Sequence, residues 1–375
     1  DIMKKLLLAL TIGIGLLLSG CVPIYEEPDP DVIDTAYTEE ELIAIIEDLM
    51  PEAQTNTTFD LAGFESAVVE MVASVRSGIV GVINETSLGF GTGSGVVYKQ
   101  VDNTYYLVTN DHVIDDYQSL TIVYEQNGLL FEIQDENITV LGSDPVTDLA
   151  VLTFTSNEDF AVIEIADSYE LELGQFVFAI GNPLGFDYYG TVTMGVISGL
   201  ARYVQDGDFN ATLLQHDAAI SPGNSGGALL NINGELIGIN NMKLVEDNVS
   251  NIGFAIPSNT VTRITADLED DGVITRPYLG ISTYAQVNAC GLDFGVCVTV
   301  ESGGAADEAG LIDGDVIIGY KTADMDTFLD IYNFNDLKEA ILNSSVGDLV
   351  TIKYIRDGNE FISEEAALNV NPNDE

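Results

Sequence analysis

The sequence has 375 residues, with 12 basic and 61 acidic side chains, a formal net charge of −49 and 46% hydrophobic residues. That length fits two folded domains with appendages, and the apolar content is ample for a sizeable core. So acidic a surface repels nucleic acid and anionic lipid headgroups, which argues against DNA or RNA as a partner. The acidic residues are spread along the chain and form no single tail. They fit adaptation to high salt, where screening relieves self-repulsion, and they equally fit ordinary lineage composition.

At the N-terminal end, Lys4 and Lys5 precede an apolar run from Leu6 to Leu18, followed by Ser19, Gly20 and Cys21. A basic region, a short apolar run and small residues read as a secretory signal peptide over 1–20. The run is too short for a comfortable membrane span. The Ser19-Gly20-Cys21 step resembles a bacterial lipobox, which implies lipidation of Cys21 and anchoring to the outer face of the cell membrane or a periplasmic membrane face. An ordinary signal peptide with an incidental cysteine is the competing reading. Residues 21–63 then read as a tether. Pro23, Pro28 and Pro30 alternate with acidic residues there, a solvated composition. Within the tether, Thr38 and Glu41 form a capping box, and Leu42, Ile45, Ile46 and Leu49 share a helical face that ends at Pro51. A second helical pattern runs from Phe64 towards Val75.

From Ile79 to about Ile256, short β-branched and aromatic runs alternate with Gly, Asn and Asp turns. Examples are Gly95–Tyr98, Tyr105–Val108, Leu120–Val123, Phe176–Ile180 and Glu235–Ile239. This pattern predicts a mainly β unit, a sandwich or a pair of barrels. Thr260–Leu268 reads as a helix, and Glu269-Asp270-Asp271-Gly272 as a break. A smaller unit follows over 273–371, with short strands and two helix candidates. In it, Cys290 and Cys297 flank a Gly-containing segment. Export permits a disulfide between them, and two buried thiols are the alternative. Neither has a histidine nearby in sequence, so no metal site is expected.

The chemistry concentrates on three segments. Gly223-Asn224-Ser225-Gly226-Gly227 places a serine between glycines, which suits a nucleophile on a tight loop with backbone N–H groups near a developing oxyanion. A serine nucleophile needs a base of near-neutral pKa. The whole chain has two histidines, His112 and His216. His112 follows the strand Tyr105–Thr109 at its polar edge and is the candidate base. His216 lies in a strand just before the serine loop and reads as structural or as a pocket neighbour. Asp148, in Thr147-Asp148-Leu149-Ala150-Val151-Leu152, is the candidate orienting carboxylate. The order His, Asp, Ser is one of those in which this triad occurs.

Thr109–Val113, Thr147–Leu152, Ala179–Pro183, Asp217–Gly227 and Asn251–Pro257 together resemble the HtrA (Deg) family of serine proteases. The resemblance implies a chymotrypsin-like double β-barrel protease domain over 64–268, followed by a PDZ domain over 273–371. It implies His112 as general base and acid, Asp148 as its orienter and Ser225 as nucleophile. The N–H groups of Gly223 and Ser225 form the implied oxyanion hole. Ile220, with Ile239, Asn240 and Asn241, lines the implied primary pocket, which favours small or medium aliphatic side chains. Ala219 stands where an acidic residue would select Lys or Arg. Gly181–Arg202 resembles a region that includes a mobile regulatory loop. His216 departs from the threonine more often found in the family. Tyr278, Leu279, Gly280 and Ile281 resemble a PDZ carboxylate-binding loop, and Ala305–Ile318 the helix and strand that follow it.

These resemblances imply a membrane-tethered serine endopeptidase that cleaves unfolded or damaged exported proteins. They imply peptide C-termini as PDZ ligands and a homotrimer or larger assembly. No metal or organic cofactor is needed, because base, nucleophile and oxyanion donors come from the chain. Two other readings remain: an HtrA-like chaperone that holds clients without rapid turnover, and a solute-binding lipoprotein. The short-strand pattern speaks against the last.

Overall fold

The computed structural model describes residues 60–206, 209–241, 252–283 and 290–372. The signal segment, Cys21, the proline-rich stretch and the helix expected after Thr38 lie outside the described residues. The first described element is α1 (Leu61–Val75). Phe64, Val68, Met71, Val72 and Val75 recur at helical spacing and pack into one cluster, an amphipathic face seated on the β core.

Seven strands then build the first sheet: β1 (Ile79–Thr86), β2 (Gly89–Val101), β3 (Thr104–Thr109), β4 (Ser119–Gln126), β5 (Leu129–Ile133), β6 (Ile138–Asp144) and β7 (Leu149–Thr155). They are antiparallel in the order β5-β4-β1-β2-β3-β7-β6. Six more follow: β8 (Phe176–Gly181), β9 (Thr191–Asp206), β10 (Phe209–His216), β11 (Ala228–Leu230), β12 (Leu236–Asn241) and β13 (Gly253–Pro257). These close into a barrel in the order β10-β13-β12-β11-β8-β9.

Side chains alternate between the two faces of a strand, and here each face has its own core. On β7, Ala150, Leu152 and Phe154 enter the core of the first sheet, while Leu149 and Val151 enter the cluster between the two sheets. On β8, Val177 and Ala179 face the second barrel's interior, while Phe178 and Ile180 join the shared cluster. Strands buried on both faces read as near-continuous apolar runs, and these runs are what the sequence shows. The shared cluster clamps the two β units together, so loops from both can meet along one seam.

Helix α3 (Ser258–Asp270) buries Val261, Ile264 and Leu268 in that shared cluster. It covers the predicted Thr260–Leu268 and runs on into the expected break. Beyond it, a second core gathers around Leu279, Val298, Ile317, Tyr320, Leu337 and Ile352. The strands Val296–Val300, Val316–Thr322 and Leu349–Arg356 carry most of it, with the short α4 (Ala305–Glu308) and with α5 (Phe334–Leu342). Asn333 caps α5 through a reciprocal capping box with Asp336. Cys290 and Cys297 are joined by a disulfide, which decides between the two alternatives left open by the sequence.

The small unit touches the protease unit through polar groups. Arg276 is buried and donates through Nη2 to both carboxylate oxygens of Asp144, at 2.6 and 2.5 Å. Lys338 lies over the ring of Tyr203, 4.3 Å from its centroid. Among the described residues, no helix is long and apolar enough to cross a membrane.

Candidate active site

His112 sits in α2 (Asp111–Ile114), a single helical turn directly after β3. Asp148 stands just before β7 with a φ of +59°, a left-handed conformation that Asp adopts more readily than most residues. The two segments meet because β3 and β7 are neighbours, with Thr109 opposite Ala150. Asp148 is 1% exposed, and both its oxygens are engaged. Oδ1 accepts the backbone N–H of His112 at 2.9 Å. Oδ2 lies 2.7 Å from His112 Nδ1 and accepts the Asn241 side-chain amide at 2.7 Å. A carboxylate facing Nδ1 demands a proton there, which leaves Nε2 as the acceptor nitrogen.

Ser225 comes from the second barrel, on the loop between β10 and β11. Its flanking glycines are sterically required. Gly226 has a φ of +78°, and a Cβ there would lie 2.2 Å from the Ser94 carbonyl oxygen and from Thr109 Oγ1. Gly223 has a φ of +101°, and its Cβ would lie 2.3 Å from the Asn182 carbonyl oxygen. Only glycine tolerates such a backbone and such an approach.

Polar side chains hold this loop against the first sheet. The N–H of Ser94 donates to the Ser225 carbonyl at 2.8 Å. Ser94 Oγ donates to the Gly223 carbonyl at 2.8 Å and accepts the Asn182 N–H at 2.9 Å. Asn110 spans all three segments. It directly precedes the histidine turn, its Nδ2 donates to the Asp148 carbonyl at 2.9 Å, and its Oδ1 accepts the Gly226 N–H at 2.7 Å. The sequence reading did not assign roles to Ser94, Asn110 and Asn182, and it placed Asn241 at the substrate pocket. The one signal for Asn110 was its place inside the Thr109–Val113 motif. Long-range contacts of this kind leave no spacing to read.

The Pro222–Gly223 peptide is trans, and its carbonyl accepts the Leu184 N–H at 2.6 Å. Planarity then turns the Gly223 N–H to the opposite side. That N–H has no hydrogen-bond partner among the described residues, as an amide awaiting an oxyanion should. Gly223, Ser225 and His112 line one cleft of 700 Å³, whose rim carries Leu88 and Phe90. Ile220, Ile239 and Asn240 do not line this cleft. Ile220 is half-buried against the second barrel's core. Ile239 is buried in the shared cluster, and Asn240 donates through Nδ2 to the Ala228 carbonyl at 2.8 Å. In the Gly181–Arg202 region, a short turn over Phe186–Tyr188 leads into β9.

His216, the other imidazole, ends β10 and is fully buried. Its ring lies on Gly253, where a Cβ would come within 2.5 Å of Cε1. Among the described residues, neither ring nitrogen finds a hydrogen-bond partner of normal geometry. Burial pushes its pKa down to about 4, and the Asp217 charge and the backbone of Ala218 and Phe254 offset only part of that. It is therefore neutral at pH 7 and is absent from the walls of the cleft.

In the small unit, Tyr278, Leu279 and Ile281 share a 390 Å³ groove with Phe334, Leu337 and Ile341 of α5. Gly280 turns the backbone between them with a φ of +77°.

Two packed β units, with the serine loop of one against the histidine turn of the other and a groove-bearing unit behind, define a trypsin-like serine protease that carries a PDZ domain. The model for the trypsin-like peptidase domain matches residues 93–239, and that for the PDZ domain matches 277–362. Serine protease Do-like HtrA of Bacillus subtilis is 40% identical over 290 residues, 72% of this chain and 62% of the relative. Serine protease Do-like HtrB of the same organism is 36% identical over 383 residues, 92% of this chain and 78% of the relative. Among solved structures, the HtrA-type protease AlgW with tripeptide superposes with a TM-score of 0.63 at 28% identity, over 81% of this chain and 97% of that one. The chain belongs to the HtrA, or Do-like, family of serine proteases, and its site is that of a serine endopeptidase.

Proposed function

We propose that this chain hydrolyses peptide bonds of unfolded or damaged exported proteins through an acyl-enzyme on Ser225. The observation that carries the reading is the imidazole of His112 fixed on buried Asp148 and opening, with Ser225 and Gly223, into one cleft. Ser225 Oγ attacks the substrate carbonyl while His112 Nε2 takes its proton. The negative charge on the carbonyl oxygen falls to the N–H groups of Gly223 and Ser225. The tetrahedral species collapses, the C–N bond breaks, and His112 returns the proton to the leaving amine. Water then repeats the sequence and frees Ser225. Asp148 stabilises the imidazolium in both halves.

In this reading the protease domain spans 64–268 and the PDZ domain spans 273–371. Tyr278, Leu279, Gly280 and Ile281 receive peptide C-termini, the chain assembles as a homotrimer or larger, and a lipid on Cys21 anchors it outside the cell membrane. Labelling with a serine-directed fluorophosphonate, beside casein cleavage, tests the core of it. The wild-type chain should label and cleave, and Ser225→Ala should do neither. A folded wild-type chain that binds unfolded protein yet neither labels nor cleaves, with or without a C-terminal peptide, would establish the chaperone reading instead.

Asn241 offers a further test. Its amide is a charge-assisted donor to Asp148, and such bonds are worth about 1.5–3 kcal/mol. Asn241→Leu is expected to lower kcat by roughly 10- to 100-fold with KM nearly unchanged. An unchanged kcat in a steady-state peptide assay would show that Asp148 needs no support from β12.

A further inference from the structure

The PDZ groove has a charge pattern unlike that of the rest of the chain. Only 12 of 375 residues are basic, yet Arg263, Arg276 and Lys338 all line this one groove. Against 61 acidic residues in the sequence, no Asp or Glu lines it among the described residues. The three cations come from different places. Arg263 belongs to α3 of the protease domain, Arg276 to the start of the small unit, and Lys338 to α5. The remainder of the lining is mostly apolar, chiefly Leu279, Ile281, Leu337 and Ile341, with Thr147, Tyr278 and Asn371 as its polar members.

Keeping these cations together has an electrostatic cost. Asp144 pairs with Arg276, and the charges of Asp267 and Asp144 act on Arg263. Nη1 of Arg263 is buried and makes no hydrogen bond among the described residues. Burial, and then the Arg276 charge, push the pKa of Lys338 down to about 8. Buried donors without acceptors are costly, and like charges raise that cost. An anionic occupant relieves both.

Resting on the reading of this groove as a receptor for peptide C-termini, we infer that it selects acidic ones. Its ligand is an extended peptide with an aliphatic last residue, a free carboxylate, and at least one Asp or Glu among the residues just before it. The apolar floor takes the last side chain. The terminal carboxylate meets the Tyr278–Ile281 loop, and the acidic side chain faces Lys338 and Arg263. Because Val146 and Thr147 also line the groove, such a peptide lies beside the residue that precedes Asp148.

Fluorescence anisotropy on the full chain carrying Ser225→Ala tests this. Four labelled peptides share one sequence ending in valine. One has two glutamates before the valine, one has glutamines there, one has lysines, and one is the glutamate peptide with an amidated end. The glutamate peptide should bind at least about tenfold tighter than the glutamine peptide, as a charge-assisted bond of about 1.4 kcal/mol or more requires. Lys338→Glu should erase or invert that ranking. Equal binding of glutamate and glutamine peptides, with the amide still weak, would overturn the acidic preference while leaving C-terminal recognition intact. If no peptide binds, or if the amide binds as well as the acid, C-terminal recognition fails and the inference fails with it.

Discussion

Ser225→Ala is expected to lower kcat for peptide hydrolysis by roughly 10⁴- to 10⁶-fold, the scale on which deleting a triad nucleophile acts. Without Oγ no acyl-enzyme forms, so the reaction reverts to direct attack by water. What remains is binding and the oxyanion donors, and the Gly223 and Ser225 backbone amides survive the substitution. The fold should survive too. Ser225 meets Ser94 through its backbone carbonyl, and the loop is held by Gly226 and Asn110. His112→Ala should cost a similar factor, and the double variant little more than either alone, because the two side chains act as a unit. Single-turnover cleavage of a chromogenic peptide reads these rates. A Ser225→Ala chain within tenfold of wild type would mean that another group carries the hydrolysis.

The second large effect is on stability, and it comes from His216. Its folded pKa of about 4 lies below the ordinary 6.5. The unfolded chain therefore binds a proton that the folded chain refuses. Stability from this residue is complete above pH 6.5, and it is lost as the pH falls from 6.5 towards 4. Each pH unit in that window costs about 1.4 kcal/mol, so the loss approaches about 3 kcal/mol by pH 4. Carboxylates also destabilise the fold in acid, so the test is a difference between chains. His216→Thr should weaken the dependence of unfolding free energy on pH between 6.5 and 4, and it should leave the protease active at pH 7. The sequence contains no tryptophan, so urea unfolding is best followed by circular dichroism. Identical pH slopes in the two chains would contradict a neutral, buried imidazole, and lost activity would contradict its structural role.

Much of this was legible in the sequence because the signals are local. The strands around Gly95–Tyr98, Tyr105–Val108 and Phe176–Ile180 appear where the apolar runs lie, since a strand buried on both faces writes a continuous apolar run into neighbouring residues. The Gly-Asn-Ser-Gly-Gly loop was legible because glycine marks a backbone that other residues cannot adopt. Asn110 and Ser94 were not, because their partners lie far along the chain, Asp148 and Gly226 for one and Asn182 and Gly223 for the other. Ile239 and Asn240 look like pocket residues by position, yet on the folded strand they face a core and a neighbouring carbonyl.

The amino-acid order alone therefore determined the class of chemistry and the two-domain plan, and it offered the three side chains proposed to carry that chemistry, because residue type and spacing restrict what a backbone can do over short distances. The tertiary structure decided the rest. It surrounds Asp148 with three donor groups, leaves the Gly223 amide without an acceptor among the described residues, buries His216 in the second barrel and draws three scattered cations into one groove. Each of these depends on which segments pack together in space, and contacts between distant residues impose no regular period on the chain.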